Sequence, residues 1–349
     1  MSTTGNTPTE RLEAWFKSVH PAAWCVGAAL VLAPTYSSDF ILTQIFCWAF
    51  ILGTIGLSLM FLAGYGGMVS LAQMTTAGAA GYAVALLGPS GSAVSLALSA
   101  WIYIPLSIIC AMVLGMVVGA VSVRTQGIYT VMITLAISAA FFYFTSQNQE
   151  VFNGSRGFNA ITAPKVFGVD WQSSIPFYYL SLCIAFLTFL LVTYVSRTPF
   201  GLALQGIRDN PRRMGSLGFN VTAHRVLAYA MSAFIAALGG VLLVWFNRQI
   251  SPGTVAIGPA IDILVVAVVG GLTLPIGPFI GAFIFVLLRT FALDIFQAFG
   301  FTSMRFNLLV GLGFLAIVMF SPDGVLGLWK RWRHLIDRRT LSGLQETKP

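Results

Sequence analysis

The chain has 349 residues, of which 57% are hydrophobic and 9% charged, with a formal net charge of +8. Soluble domains carry about a quarter charged residues, and a soluble core cannot absorb this much apolar surface. The composition excludes an ordinary soluble domain and points to an all-α, polytopic bundle of transmembrane helices. The basic residues sit in loops beside apolar spans, where attraction to anionic lipid headgroups explains them more simply than nucleic-acid binding does.

In chain order, residues 1–21 form a polar segment of mixed charge (Glu10, Arg11, Glu13, Lys17) without the pattern of a cleaved signal peptide. A spanning helix needs roughly twenty mostly apolar residues to cross about 30 Å of hydrocarbon. By that measure, spans are expected at 22–36, 40–62, 68–87, 96–123, 128–145, 175–195, 226–246, 259–274, 279–296 and 306–320. These make about ten, in a membrane domain covering 22–322. Segment 68–87 is rich in Gly, Ala, Thr and Ser, so it packs inside the bundle, with its polar members available to line a cavity. The break from Gly270 to Pro278 belongs at a helix end or within the bundle, where freed backbone groups can be satisfied.

Charge asymmetry sets the expected orientation. The connection 196–225 carries Arg197, Arg208, Arg212, Arg213 and Arg225 against the single acid Asp209. The tail 323–349 is likewise basic, and both belong in the cytoplasm. In the loop 146–174, Glu150, Arg156, Lys165 and Asp170 cancel, which places it outside. An even number of spans then puts the N-terminus inside as well.

No catalytic residue set emerges. The chain lacks G-x-S-x-G, H-E-x-x-H and any Gly-Lys pair, so no nucleophile elbow, zincin motif or P-loop is expected. His20, His224 and His334 fall at or beyond span ends, and Cys25, Cys47, Cys110 and Cys183 lie singly in apolar surroundings. No metal site and no cofactor are expected in this chain. Its nearly charge-free interior favours a path for a neutral or zwitterionic solute, with energy supplied elsewhere.

Within 198–220, Thr198-Pro199 and Asn210-Pro211 each read as an N-cap followed by proline at the first helical position, and Gly218 suits a C-terminal stop. Two short helices at a fixed elbow follow. Ile207, Met214 and Leu217 are expected to anchor them, leaving Arg208, Asp209 and Arg212 for water or a partner. A plain loop whose arginines only set topology is the competing reading.

Two residues are candidates for the solute path. Gln73 suits either solute contact or an interhelical hydrogen bond. Asp262, the acid inside an apolar span, suits either the path or a first helical turn favoured by the helix dipole after Gly258-Pro259. Arg289 and Asp294 are expected to form an interfacial pair. Trp24, Trp101, Tyr103, Tyr178 and Tyr179 read as interfacial belt residues. Ser155, Arg156 and Phe158 in the outer loop suit a contact with an external protein or a structured lid.

Several stretches together resemble the permease subunits of branched-chain amino-acid type ABC importers. They are Gly56-Leu57-Ser58-Leu59 running to Gly64-Tyr65-Gly66-Gly67-Met68-Val69-Ser70-Leu71, Gly127-Ile128-Tyr129-Thr130-Val131-Met132-Ile133-Thr134-Leu135-Ala136 and Gly154-Ser155-Arg156-Gly157-Phe158. Ile207-Arg208-Asp209-Asn210 with Leu217-Gly218-Phe219-Asn220, and Gly270-Gly271 with Gly277-Pro278 and Gly281-Ala282, complete the set. The resemblance covers most of the chain from the second span onward. It implies a multi-pass protein of the bacterial inner membrane working with a second, similar or identical permease, two cytoplasmic ATPases that use ATP, an external solute-binding protein and membrane lipid.

By the same resemblance the loop after the middle spans is the coupling segment, here Ile207, Arg208, Asp209, Asn210, Met214, Leu217 and Gly218. This chain differs from the family in having Pro211-Arg212-Arg213 after the Arg-Asp-Asn unit, Ala72-Gln73 after the Ser-Leu pair, and Asp262 where Glu is common. Branched-chain amino acids are the expected solute, with urea or short amides as the alternative within the family. An ion-coupled carrier acting alone is the rival outside it.

Overall fold

The computed structural model describes residues 21–36, 38–89, 96, 98–125, 127–166 and 168–298, with 311 and 324. The span expected at 306–320, the first twenty residues and the basic tail lie outside the described residues, apart from those two positions.

Helices dominate, as the composition requires. In chain order they are α1 (Pro21–Tyr36), α2 (Ile41–Tyr65), α3 (Gln73–Leu87), α4 (Ala100–Ser122), α5 (Ile128–Gln147), α6 (Gln149–Phe152), α7 (Ser174–Arg197), α8 (Pro199–Asp209), α9 (Pro211–Ser216), α10 (Val221–Asn247), α11 (Ile257–Gly270) and α12 (Gly277–Ala298). Four two-residue strands accompany them: β1 (Phe158–Asn159), β2 (Lys165–Val166), β3 (Val169–Asp170) and β4 (Gln249–Ile250).

Among the described residues, α2, α4, α5, α7 and α10 are long and apolar enough to cross a membrane. The chain is thus a helical membrane protein, although the expected count of about ten is matched only in part. Helices α3 and α11 have 15 and 14 residues. At about 1.5 Å per residue they reach some 21–22 Å, short of the hydrocarbon thickness.

Chain breaks account for both shortfalls. The span expected at 68–87 becomes helical only at Gln73, because α2 closes through wide π-type turns over Phe61–Tyr65. Gly67, at φ +66°, then turns the chain out of the helix. The N–H groups of Gly67 and Met68 fold back onto the carbonyls of Ala63 and Leu62, a glycine-terminated helix end. Residues 67–72 follow without helical structure. Helix α11 ends similarly at Gly271, φ +102°, and the break before α12 is part buried at a helix end, with the Leu272 carbonyl against Gly64 and Thr273 and Ile276 exposed.

Helix α10 holds the centre and packs on α2, α3 and α4, while α11 and α12 pair with each other and α12 returns to α2. Helices α2 and α10 are mostly buried; α4, α5 and α7 turn most of their residues outward. Every α3 residue from Gln73 to Ala85 is buried, as its small-residue composition predicts. At Gly240 a Cβ would run into the Ala77 carbonyl, so the α3 and α10 backbones touch, the close approach that small residues permit in membranes.

The two polar connections lie at opposite ends of the 24-residue helix α7. At one end, β1 pairs antiparallel with β4 in the register Phe158 to Ile250 and Asn159 to Gln249. At the other end stand α8 and α9.

Candidate functional site

A knot of polar side chains lies inside the bundle. Gln73, at the first turn of α3, is 4% exposed. Its Oε1 accepts hydrogen bonds from Ser58 Oγ of α2 at 3.0 Å and Ser232 Oγ of α10 at 3.1 Å. Ser232 Oγ also reaches the Ser58 carbonyl at 2.7 Å. Three helices therefore meet on one amide, and a burial that would otherwise be unfavourable is compensated. Of the two sequence readings of Gln73, the interhelical hydrogen bond is the one the structure displays.

The knot continues to either side. Thr134 and Ser138 of α5 hold the non-helical stretch before α3: the Leu71 N–H donates to Thr134 Oγ1 at 3.1 Å, and Ser138 Oγ donates to the Leu71 carbonyl at 3.2 Å. All the fully buried residues of α5 are hydroxylic, namely Thr130, Thr134, Ser138 and Thr145. Along α10, Tyr229 lies one turn from Ser232, and its hydroxyl faces Ser122 and Ser70. Among the described residues the buried side-chain oxygens of Thr75, Ser122 and Tyr229, and outside the knot those of Tyr82 and Tyr103, have no hydrogen-bond partner.

These residues were not singled out in the sequence. A signal was present: 130, 134 and 138 recur every four residues on an otherwise apolar span, one face of a helix.

Asp262 does not join the knot. Helix α11 starts at Ile257, so Asp262 falls beyond the first turn, and the dipole reading is corrected. Its Oδ2 lies 3.6 Å from Arg289 Nη1 of α12, with both side chains substantially exposed. Arg289 reaches across to α11 because facing helices bring distant positions together. Its expected pairing with Asp294 on its own helix, like the side chain of Asp294, lies outside the described residues.

The elbow forms as its caps predict. Thr198 Oγ1 accepts from the Gly201 N–H, and Asn210 Oδ1 accepts from the Arg213 N–H at 3.0 Å, each ahead of a proline. Ile207 and Leu204 are fully buried, and Met214 lies against Gly206. His224, opening α10, stacks on Phe200 and meets the edge of Phe219.

One expectation about the elbow is corrected. Leu217, expected as an anchor, is 65% exposed; α9 ends at Ser216 and Gly218, at φ +89°, carries the chain away. Arg208, expected to be left for water or a partner, keeps 42% of its side chain exposed and also makes contacts within the chain. Its Nε and Nη2 both meet Asp209 Oδ1 at 3.0 Å, and Nη1 donates to the Gly64 carbonyl of α2.

In the loop at the far end, Phe158 is 1% exposed and packs edge-on against Tyr82, ring centres 6.3 Å apart. It belongs to a structured lid and is not available to a partner, whereas Ser155 and Arg156 remain exposed. Gln172 ties this loop to α10, donating to the Trp245 carbonyl at 3.2 Å.

Residues 41–320 match the family profile described as branched-chain amino acid transport system, permease component. The chain is 23% identical over 295 residues to the high-affinity branched-chain amino acid transport system permease protein LivM of Salmonella typhimurium, and 22% identical over the same length to LivM of Escherichia coli. Those alignments cover 78% of this chain, and it spans 65% of the length of each of these relatives. A probable LivM of Methanocaldococcus jannaschii is 30% identical over 141 residues, covering 39% of this chain and 41% of that protein. No solved structure matches the chain.

Proposed function

We propose, from the premise that the chain belongs to the family of permease components of branched-chain amino acid transport systems, that it passes branched-chain amino acids across a bacterial inner membrane as one permease of an ATP-driven importer. Its partners in this reading are a second permease of the same kind, two cytoplasmic ATPases and an external solute-binding protein.

The observation that carries the reading is the elbow of α8 and α9. It is capped at both starts, buried through Leu204 and Ile207, and presents Leu202, Leu217 and Phe219 outward beside Arg212 and Arg213. Packed elements move as units, so a rigid elbow transmits a displacement that a loose loop would absorb. The chain has no P-loop sequence, and ATP would be hydrolysed by the protein seated on this surface. Its surplus of arginine over acid supports a cytoplasmic position, with the lid loop outside.

The polar knot supports a solute path through the bundle. The hydroxyls of Ser122 and Tyr229, which face one another, can each donate to the carboxylate or accept from the ammonium of a passing zwitterion. The names of the relatives support branched-chain amino acids over urea or short amides.

Deleting the gene and measuring uptake of labelled leucine, isoleucine and valine in intact cells tests the reading. Uptake should fall at low external concentration and return on re-expression, while urea uptake stays unchanged. Unaltered leucine uptake with impaired urea uptake would transfer the assignment to the alternative solute.

A further inference from the structure

Arg208 connects two parts of the molecule that the importer reading leaves unconnected: the elbow, where force would enter, and Gln73, in the polar centre. It stands in the last turn of α8. Its guanidinium is divided by edge, with Nε and Nη2 on Asp209 and Nη1 on the carbonyl of Gly64. This is a use of the planar fork that a single ammonium could not reproduce. Its aliphatic stem lies across Gly67, where any Cβ would strike Arg208 Cγ. Leu204, one turn earlier, packs on Gly66. Helix α8 thus grips the end of α2 where that helix widens and stops.

From that grip the chain runs 67–72 without helical structure. It is pinned again at Leu71, whose N–H and carbonyl are both held by α5. Two residues later Gln73 joins α2 to α10. The stretch from Gly64 to Gln73 is thus a short strap, held at one end by Arg208 and at the other by α5. Only Met68, Val69 and Ser70 separate the Gly67 contact from the hold at Leu71.

We propose that Arg208 is a positioning residue that transmits displacement of the elbow through the 64–72 strap to Gln73, and is not itself a contact to the ATPase. The proposal rests on the reading of the elbow as the docking element. A merely structural role would weaken the protein and leave each ATP as productive as before.

The test uses the assembled importer in proteoliposomes with its solute-binding protein, measuring ATP hydrolysis and solute uptake together. Arg208→Met keeps the stem and removes the donors; Arg208→Lys restores one donor. Gly67→Ala disturbs the same contact from the other side. Arg208→Met should retain its ATPase subunits and its basal hydrolysis, with uptake per ATP lowered severalfold. Arg208→Lys should recover part of the loss, and Gly67→Ala should reproduce it.

Wild-type uptake per ATP in either Arg208→Met or Gly67→Ala would overturn the proposal. So would loss of the ATPase subunits from Arg208→Met, which would make Arg208 a docking contact. A wild-type assembly whose uptake does not depend on ATP would refute the importer reading itself, independently of either variant.

Discussion

Replacing Gln73 by Leu removes the acceptor shared by Ser58 and Ser232. Each serine keeps a bond to a carbonyl, Ser58 to Ile55 and Ser232 to Ser58. Interhelical hydrogen bonds within membranes average near 0.6 kcal/mol, so Gln73→Leu should lower stability by only about 1 kcal/mol. Leucine uptake, by contrast, should fall severalfold in normally inserted protein, as the polar centre loses its amide. Asp262→Asn should change both little, since an exposed ion pair contributes about 0–1 kcal/mol. Thermal melting in detergent and uptake in vesicles separate the two variants; equal losses of uptake would return Asp262 to the path. Residue types alone identified both candidates. They did not separate them, because the partners that do so, Ser232 and Arg289, are 159 and 27 positions away along the chain.

Among the elements, the elbow was the most legible, because a cap is a local contract between a side chain and the N–H three residues on. Asn210→Ala breaks one of these and should cost about 1 kcal/mol, seen as faster amide exchange across 211–216 with α8 unaffected. The outward apolar residues make a different prediction. Leu217→Asp together with Leu202→Ser should release the ATPase subunits on purification without lowering the melting temperature of the permease. Retention of the ATPases would move docking away from this face. The break after Gly67 was less legible: Met68-Val69-Ser70-Leu71 is apolar enough to continue a span, and hydroxyls of α5, distant in sequence, are among the groups that hold it in a non-helical path.

For the whole molecule, the connections at the two ends of α7 should be labelled from opposite sides. With single cysteines at Arg156 and Arg212, an impermeant maleimide on intact cells should reach the first and not the second; the reverse would invert the orientation. Composition and the spacing of apolar stretches located the described spans to within a few residues at most ends, since hydrocarbon imposes one length scale on every helix. Which helix occupies the centre was not legible, because α4, α5, α7 and α10 are all apolar enough to span and differ in how many of their faces are covered.

The contact at Gly240 has a consequence for how such a bundle can work. Where two helices touch backbone to backbone, no side chain lies between them to change rotamer, and sliding one past the other would drive Gly240 into the next carbonyl of α3. Helices α3 and α10 should therefore behave as a single keel, and alternation between outward-facing and inward-facing forms has to be divided along a looser seam. The border between this keel and the α11–α12 pair is such a seam. A covalent tether placed across α3 and α10 should leave transport intact, whereas one placed across α3 and α11 should arrest it, and an arrest by the first tether would show that the keel itself bends.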